Sequence, residues 1–236
     1  MPRTNYVLCA WSGARRTPDL RVKVDPAFYL KQHIKSLRLL RHRLDQITIM
    51  VPKNEQEPPE FREFLETIPR TLQGASVVVM ERPNVGLSYG SLSDCYARYR
   101  TEFDYYFFME DDYVFTQHDF DQIHLDVMEA DKSCGYLCGL AWTFSEFPLH
   151  AGIVNGAMRA SALEAVFAEH RRIPYADRPD YRAAERVGQV GQSQAIIAQG
   201  YTLRDWAGRY RVAFRESADV IKEFHADCPV TLMRPL

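Results

Sequence analysis

The stretch Tyr105–Phe115, "YYFFMEDDYVF", decides how the chain is read. Five apolar or aromatic residues run into three consecutive acids, Glu110, Asp111 and Asp112, and a second apolar run follows. A run this short and aromatic, ended by charge, is expected to be a buried strand. Side chains alternate along a strand, so Glu110 and Asp112 should share a face and Asp111 should point elsewhere. Carboxylates held together raise each other's pKa unless a cation lies among them. The pattern therefore suits a divalent cation, Mn²⁺ or Mg²⁺, held by one or two carboxylates plus substrate phosphates. A solvated acidic loop is the plain alternative.

Working outward, other short apolar runs precede and follow this one. "YVLCAW" (residues 6–11) reads as a strand stopped by Ser12-Gly13, "ITIMV" (47–51) as a second and "SVVVM" (76–80) as a third. "YYFFM" is then the fourth, and "GYLCGLAW" (135–142) the fifth. Between them lie helical patterns at 27–43, where Phe28, Ile34, Leu37, Leu40 and Leu44 recur, and from about Ser88. The tract 173–192 reads as a loop-like break before a helix, "SQAIIAQ", and a short strand, "YTLRDW". Strand and helix alternating in this rhythm predict one α/β domain with a mainly parallel sheet covered on both faces.

The chain has 236 residues, 46% of them apolar, with 29 basic against 31 acidic side chains. Such a balance gives no general reason to expect nucleic acid or an anionic membrane as partner. No run approaches 18 apolar residues, so no membrane span is expected and peripheral association stays open. The five cysteines make an odd count without a small-scaffold framework, which predicts reduced thiols and a cytoplasmic location. Cys134 and Cys138 lack two further zinc ligands nearby and are expected to be half-buried packing residues.

In open parallel sheets ligands bind beyond the carboxyl ends of the strands. The strand ends place Trp11, Ser12 and Gly13, with Arg15 and Arg16 after them, beside Pro52-Lys53-Asn54, Pro83-Asn84-Val85-Gly86 and the acidic triplet. Trp11 and Lys53 are candidates to border a base, Asn84 and Gly86 to let backbone approach a nucleotide, and Arg15 or Arg16 to meet phosphates. Trp142, Phe144, Phe147 and His150 are candidates to face a second substrate.

The span Asn84–Phe115, "NVGLSYGSLSDCYARYRTEFDYYFFMEDDYVF", resembles the central segment of GT-A-fold glycosyltransferases of the family 2 type, where an Asn-x-Gly loop and helix precede an apolar strand ending in a D-x-D-like motif. "GIVNGAMRASALEAV" (152–166) and "GQSQAIIAQGYTL" (191–203) resemble later segments of that family in order and spacing, so the likeness extends over residues 5–226. It implies a single GT-A-type domain, with residues 1–115 binding a nucleoside-diphosphate sugar and 116–236 taking a saccharide or other hydroxyl acceptor. It further implies that Asp112 ligates Mn²⁺ or Mg²⁺, that Glu110 lies near the ribose or the metal, and that His225 completes the metal site; Asp111 is counted with Glu110 among the candidates for nucleotide-sugar binding. The family's acid at the start of the late helix is replaced by Gly191-Gln192-Ser193-Gln194. Glu185, Asp180 or Glu146 could supply a base, with Glu185 favoured, and a retaining reaction is the other possibility.

Two further readings compete. A sugar nucleotidyltransferase shares the sheet and a cation-binding acid, but needs a glycine-rich basic loop that "WSGARR" echoes with one glycine. A noncatalytic nucleotide-sugar or carbohydrate binding module fits the missing late acid.

Overall fold

A computed structural model describes residues 1–13, 20–144, 147–151, 155–177, 180–206, 213–214, 222–223 and 230–232. Strand β1 (Thr4–Cys9) is followed by the helices α1 (Leu20–Val24) and α2 (Phe28–Leu39), strand β2 (Gln46–Pro52), α3 (Pro59–Thr67) and a short β3 (Thr71–Leu72). Next come β4 (Ala75–Arg82), α4 (Leu87–Tyr99), β5 (Tyr105–Glu110), β6 (Tyr113–Phe115), α5 (Phe120–Ala130) and β7 (Cys134–Cys138). The hairpin strands β8 (Ala141–Phe144) and β9 (Phe147–Ala151) precede β10 (Asn155–Arg159) and α6 (Ala160–His170). A helical run of α7 (Tyr181–Ala183), a π-helix (Ala184–Val190) and α8 (Gly191–Ala198) leads into β11 (Thr202–Asp205). Among the described residues that follow are three short strands, β12 (Ala213–Phe214), β13 (Lys222–Glu223) and β14 (Val230–Leu232).

The main sheet has the order β11-β7-β10-β5-β1-β2-β4-β3. β4, β2, β1 and β5 pair in parallel, and β7 pairs in parallel with β11. β10 runs against both β5 and β7, so β5 and β7 point the same way. The carboxyl ends of β1, β2, β4, β5, β7 and β11 thus meet at one edge, which the amino end of β10 joins. This is the single α/β domain with a mostly parallel sheet that the sequence predicts.

β1 and β2 are buried along their whole length, as strands covered on both faces must be. One face packs Leu8, Phe107 and Met109 with Leu30 and Ile34 of α2 and Leu125 of α5. The other packs Val7, Tyr106 and Phe108 with Leu92 and Tyr96 of α4 and Leu163 of α6.

Four expectations are corrected. The helix predicted over 27–43 ends at Leu39, because Gln73 Nε2 donates to the carbonyls of Leu37, Arg38 and Leu40 at 3.0, 2.7 and 2.8 Å and caps that end. The strand predicted over 135–142 breaks after Cys138, and Ala141–Phe144 belongs to a separate hairpin. The loop predicted over 173–192 is helical from Tyr181, with a π-helical middle. Cys134 and Cys138, expected half-buried, are wholly buried, and the four described cysteines are free thiols. Among the described residues no helix is long and apolar enough to cross a membrane.

Candidate functional site

The carboxyl edge gathers most of the residues singled out in the sequence. β5 delivers Glu110 as the register partner of Cys9, so the two share a face, and Cys9 Sγ lies 3.4 Å from Ser91 Oγ on α4. Burial pushes the Cys9 thiol up to about 12, and the charges of Glu110 and Asp111 push the same way, against the hydrogen bond from Ser91. Cys9 is therefore a packing residue under the acids and no nucleophile.

The three acids lie differently. Glu110 and Asp112 are half-buried and Asp111 is buried. Asp111 Oδ2 accepts the backbone N–H of Trp11 at 3.0 Å, and the Asp111 N–H donates to the Cys9 carbonyl at 3.1 Å. Beneath it His33 of α2 has Nε2 2.6 Å from Tyr6 Oη. Burial lowers the His33 pKa to about 4, against the opposing pull of the Asp111 carboxylate, so the imidazole is neutral near pH 7.

Beyond β1, Trp11 is half-buried and its indole covers Gly13. A Cβ at residue 13 would lie 2.3 Å from Trp11 Cζ2 and 3.0 Å from Asn54 Nδ2, so this position admits only glycine without displacing the ring. Ser12 is buried, and its Oγ donates to Glu57 Oε2 at 3.4 Å. Lys53 is exposed with Nζ 3.8 Å from Glu81 Oε2.

Beyond β4, the loop to α4 is held by a residue the sequence reading passed over. Arg82 is buried; its Nε donates to Asp94 Oδ2 at 2.7 Å and its Nη2 to the Val85 carbonyl at 2.6 Å. The guanidinium lies against Gly90, where a Cβ would come within 2.3 Å of it. Gly86 takes φ +74, and Leu87 follows at φ +51, so two successive residues are left-handed as α4 begins. Tyr175 seals the turn, its ring 2.2 Å from where a Gly86 Cβ would sit. Asn84 is half-buried within this loop. An arginine at the very end of a strand, immediately before Pro-Asn, is the signal that could have identified Arg82 as a loop anchor.

On the opposite side, the π-helix packs on α4, β9 and α8. A Gly188 Cβ would strike the Tyr89 ring, and Tyr89 Oη donates to Gln189 Oε1 at 3.1 Å. Glu185 lies half-buried in this segment. Asp180 accepts the N–H groups of Arg182 and Ala183 at 2.9 and 3.4 Å, as a cap of the helical run. His150 is buried with Nδ1 2.8 Å from the Pro148 carbonyl, and Phe147 is half-buried under Arg186. Arg15, Arg16, Glu146, His225 and the side chains of Trp142 and Phe144 lie outside the described residues.

Among the described residues no three His, Cys, Asp or Glu side chains converge in a way that could hold a metal ion. Among the described residues, the candidates to hold a cation are the carboxylates of Glu110 and Asp112, both half-buried residues. That donor set fits Mg²⁺ or Mn²⁺ completing its shell with phosphate oxygens and water, and does not fit an all-protein cage.

No family model and no curated protein matches the chain. Solved structures do. A cytidylyltransferase from Leptospira borgpetersenii is similar at TM-score 0.53 and 12% identity, over 87% of this chain and 76% of that one. A CMP:2-keto-3-deoxy-manno-octonic acid synthetase complexed with CTP is similar at TM-score 0.51 and 11% identity, over 86% and 89%. A 4-diphosphocytidyl-2C-methyl-D-erythritol synthase from Anaerococcus prevotii is similar at TM-score 0.50 and 7% identity, over 86% of each chain. At these identities the likeness establishes the fold: an α/β domain of the kind that nucleotidyltransferases share with the GT-A type expected from the sequence. The three are nucleotidyltransferases, so the comparisons lend glycosyl transfer no specific support.

Proposed function

We propose that this chain is a divalent-cation-dependent enzyme of nucleotide-activated sugars. The observation that carries the reading is the pair of half-buried acidic residues, Glu110 and Asp112, at and just beyond the end of β5 in the middle of the carboxyl edge, with Asp111 folded inward beside them. A nucleotide would lie toward β1, β2 and β4, with Trp11 and the Asn84–Gly86 turn along it, and the sugar toward β10 and β7. Bound there, Mn²⁺ or Mg²⁺ would offset phosphate charge that grows as the leaving group departs.

Two reactions suit such a site. Sugar nucleotidyl transfer has the support of the fold comparisons, whose named enzymes attach cytidylyl groups. In it a sugar oxygen attacks the α-phosphorus of a nucleoside triphosphate and pyrophosphate leaves. Glycosyl transfer has the support of the β1 exit, where Gly13 is filled by the Trp11 indole. A flat ring at that place suits stacking on a base better than cradling a triphosphate. In this reaction an acceptor hydroxyl displaces a nucleoside diphosphate from the sugar.

One assay separates them. The protein is incubated with Mn²⁺ and either nucleoside triphosphates plus sugar phosphates and sugar acids, or nucleotide sugars plus saccharides. Pyrophosphate released in the first arm supports nucleotidyl transfer, and nucleoside diphosphate released in the second supports glycosyl transfer. Divalent-dependent binding with neither product would make the domain a binding module. No divalent-dependent nucleotide binding at all would overturn the proposal.

A further inference from the structure

Asn155 opens β10, the strand that enters the carboxyl edge instead of leaving it. Its cross-strand partner is Met109, one residue before Glu110. The side chain is wholly buried, yet its Nδ2 has no hydrogen-bond partner, and it is the carboxamide's other end that is secured. The N–H of Gly139 donates to Asn155 Oδ1 at 3.1 Å, and also approaches the Asn155 carbonyl at 3.4 Å. Since a backbone N–H can only donate, the atom facing it must be the oxygen, which fixes the amide orientation and leaves the NH₂ as the unused end.

The arrangement is built from two sides. A Cβ at Gly139 would lie 2.4 Å from Asn155 Oδ1, so glycine here is what lets the carboxamide lie against the exit of β7. The same contact explains why the apolar run 135–142 breaks where it does. A buried amide donor left unmade destabilises a fold by about 1–3 kcal/mol, so its retention calls for a reason. The side chain shares the face of Met109 at the head of the strand next to β5, and two hydrogen-bond donors at that edge, on the side away from β1, β2 and β4, suit oxygen atoms of a sugar.

We infer that Asn155 is a sugar-binding residue, its Nδ2 donating to a hydroxyl, carboxylate or phosphate oxygen of the sugar moiety that lies beyond the diphosphate. The inference rests on the function proposed above but not on which of its two reactions operates, because both place the sugar on this side of Glu110 and Asp112.

The test compares nucleoside diphosphates with the matching nucleotide sugars by calorimetric titration in Mn²⁺. Asn155→Asp keeps an acceptor for the Gly139 N–H and removes the donor. Gly139→Ala pushes on Oδ1 from the other side and displaces the carboxamide. Both variants are expected to bind nucleoside diphosphate within about 2-fold of wild type, while the extra affinity contributed by the sugar falls about 10-fold or more, which is the loss of roughly one hydrogen bond to a sugar oxygen. Thermal melts check that each variant is folded; if burial of the new carboxylate unfolds Asn155→Asp, Gly139→Ala carries the comparison. Folded variants that keep the full sugar contribution overturn the assignment of Asn155 alone. A wild-type protein that binds no nucleotide with Mn²⁺ overturns the functional reading and this inference with it.

Discussion

The N–H of Trp11 donates to Oδ2 of Asp111 at 3.0 Å, so the middle acid of the triplet ties the exit of β1 to the exit of β5. The acid that looks most central in the sequence is thus the one turned inward. Asp111→Ala strands a backbone donor and removes a buried, charge-assisted acceptor. It is expected to lower stability by about 2 kcal/mol, read as a shifted midpoint in urea denaturation with unchanged slope. An unshifted midpoint would remove the tie from the account of the fold.

Asp112→Ala should behave in the opposite way. The residue is half-buried beyond the strand end, and the expected result is loss of Mn²⁺-dependent nucleotide binding by 100-fold or so with little change in melting temperature. Metal-dependent binding that survives in this variant would take Asp112 out of the cation site.

The Arg82–Asp94 pair has side-chain exposures of 3% and 37%, so its two ends are not equivalent. Arg82→Met removes the guanidinium that holds Val85 in place and leaves α4 without its anchor; a loss on the order of 3 kcal/mol is expected. Asp94→Asn, at the wetter end, should lose under about 1 kcal/mol. Equal losses at the two positions would mean that the ion pair, and not the loop anchor, is what matters.

Gly86→Ala meets two obstacles, a left-handed backbone and the Tyr175 ring. The backbone alone is worth about 1–2 kcal/mol. The double variant with Tyr175→Ala should recover the steric part of the loss and leave the backbone part, which a double-mutant cycle resolves. Full recovery would show that the conformation itself carries no strain.

His124 gives the pH prediction. Its Nδ1 lies 2.7 Å from the Phe120 carbonyl, and the indole Nε1–H of Trp206 donates to its Nε2 at 3.2 Å. That second bond needs a neutral ring protonated on Nδ1. Burial lowers the His124 pKa to about 4, below the unfolded value of 6.5. A group depressed in the folded state adds stability above its unfolded pKa and loses it as pH falls towards the folded one. Stability should therefore decline between about pH 6.5 and 4, and His124→Gln should flatten that decline in urea titrations run at each pH.

Much of this architecture is written in residue order. The apolar runs ending at Trp11, Val51, Met80 and Met109 give the parallel strands and hence the edge that gathers Trp11, the Asn84–Gly86 turn and the acids, since alternation and burial act locally. What is not local stayed hidden. The break at Gly139 depends on an asparagine 16 residues later, and the early end of α2 on Gln73, which folds back onto its carbonyls. Arg82 reads as a surface charge until α4 closes over it. The π-helix reads as a loop because Gly188 and the glutamines around it carry no apolar period; only the Tyr89 ring gives that glycine a purpose. Strand alternation does not reach Asp111 and Asp112, which stand in the turn after β5; what holds Asp111 inward is the Trp11 amide, a partner 100 residues away.

The β8–β9 hairpin forms a two-stranded sheet of its own, pairing Ala141 with Ala151, between the exit of β7 and the entry of β10. Gly139 and Asn155 clasp its base. The hairpin is therefore a module plugged into a closed socket, and grafting a different hairpin between those two residues would leave the acidic triplet and strands β1, β2 and β4 where they are. A fold arranged this way can exchange part of its rim without rebuilding its sheet.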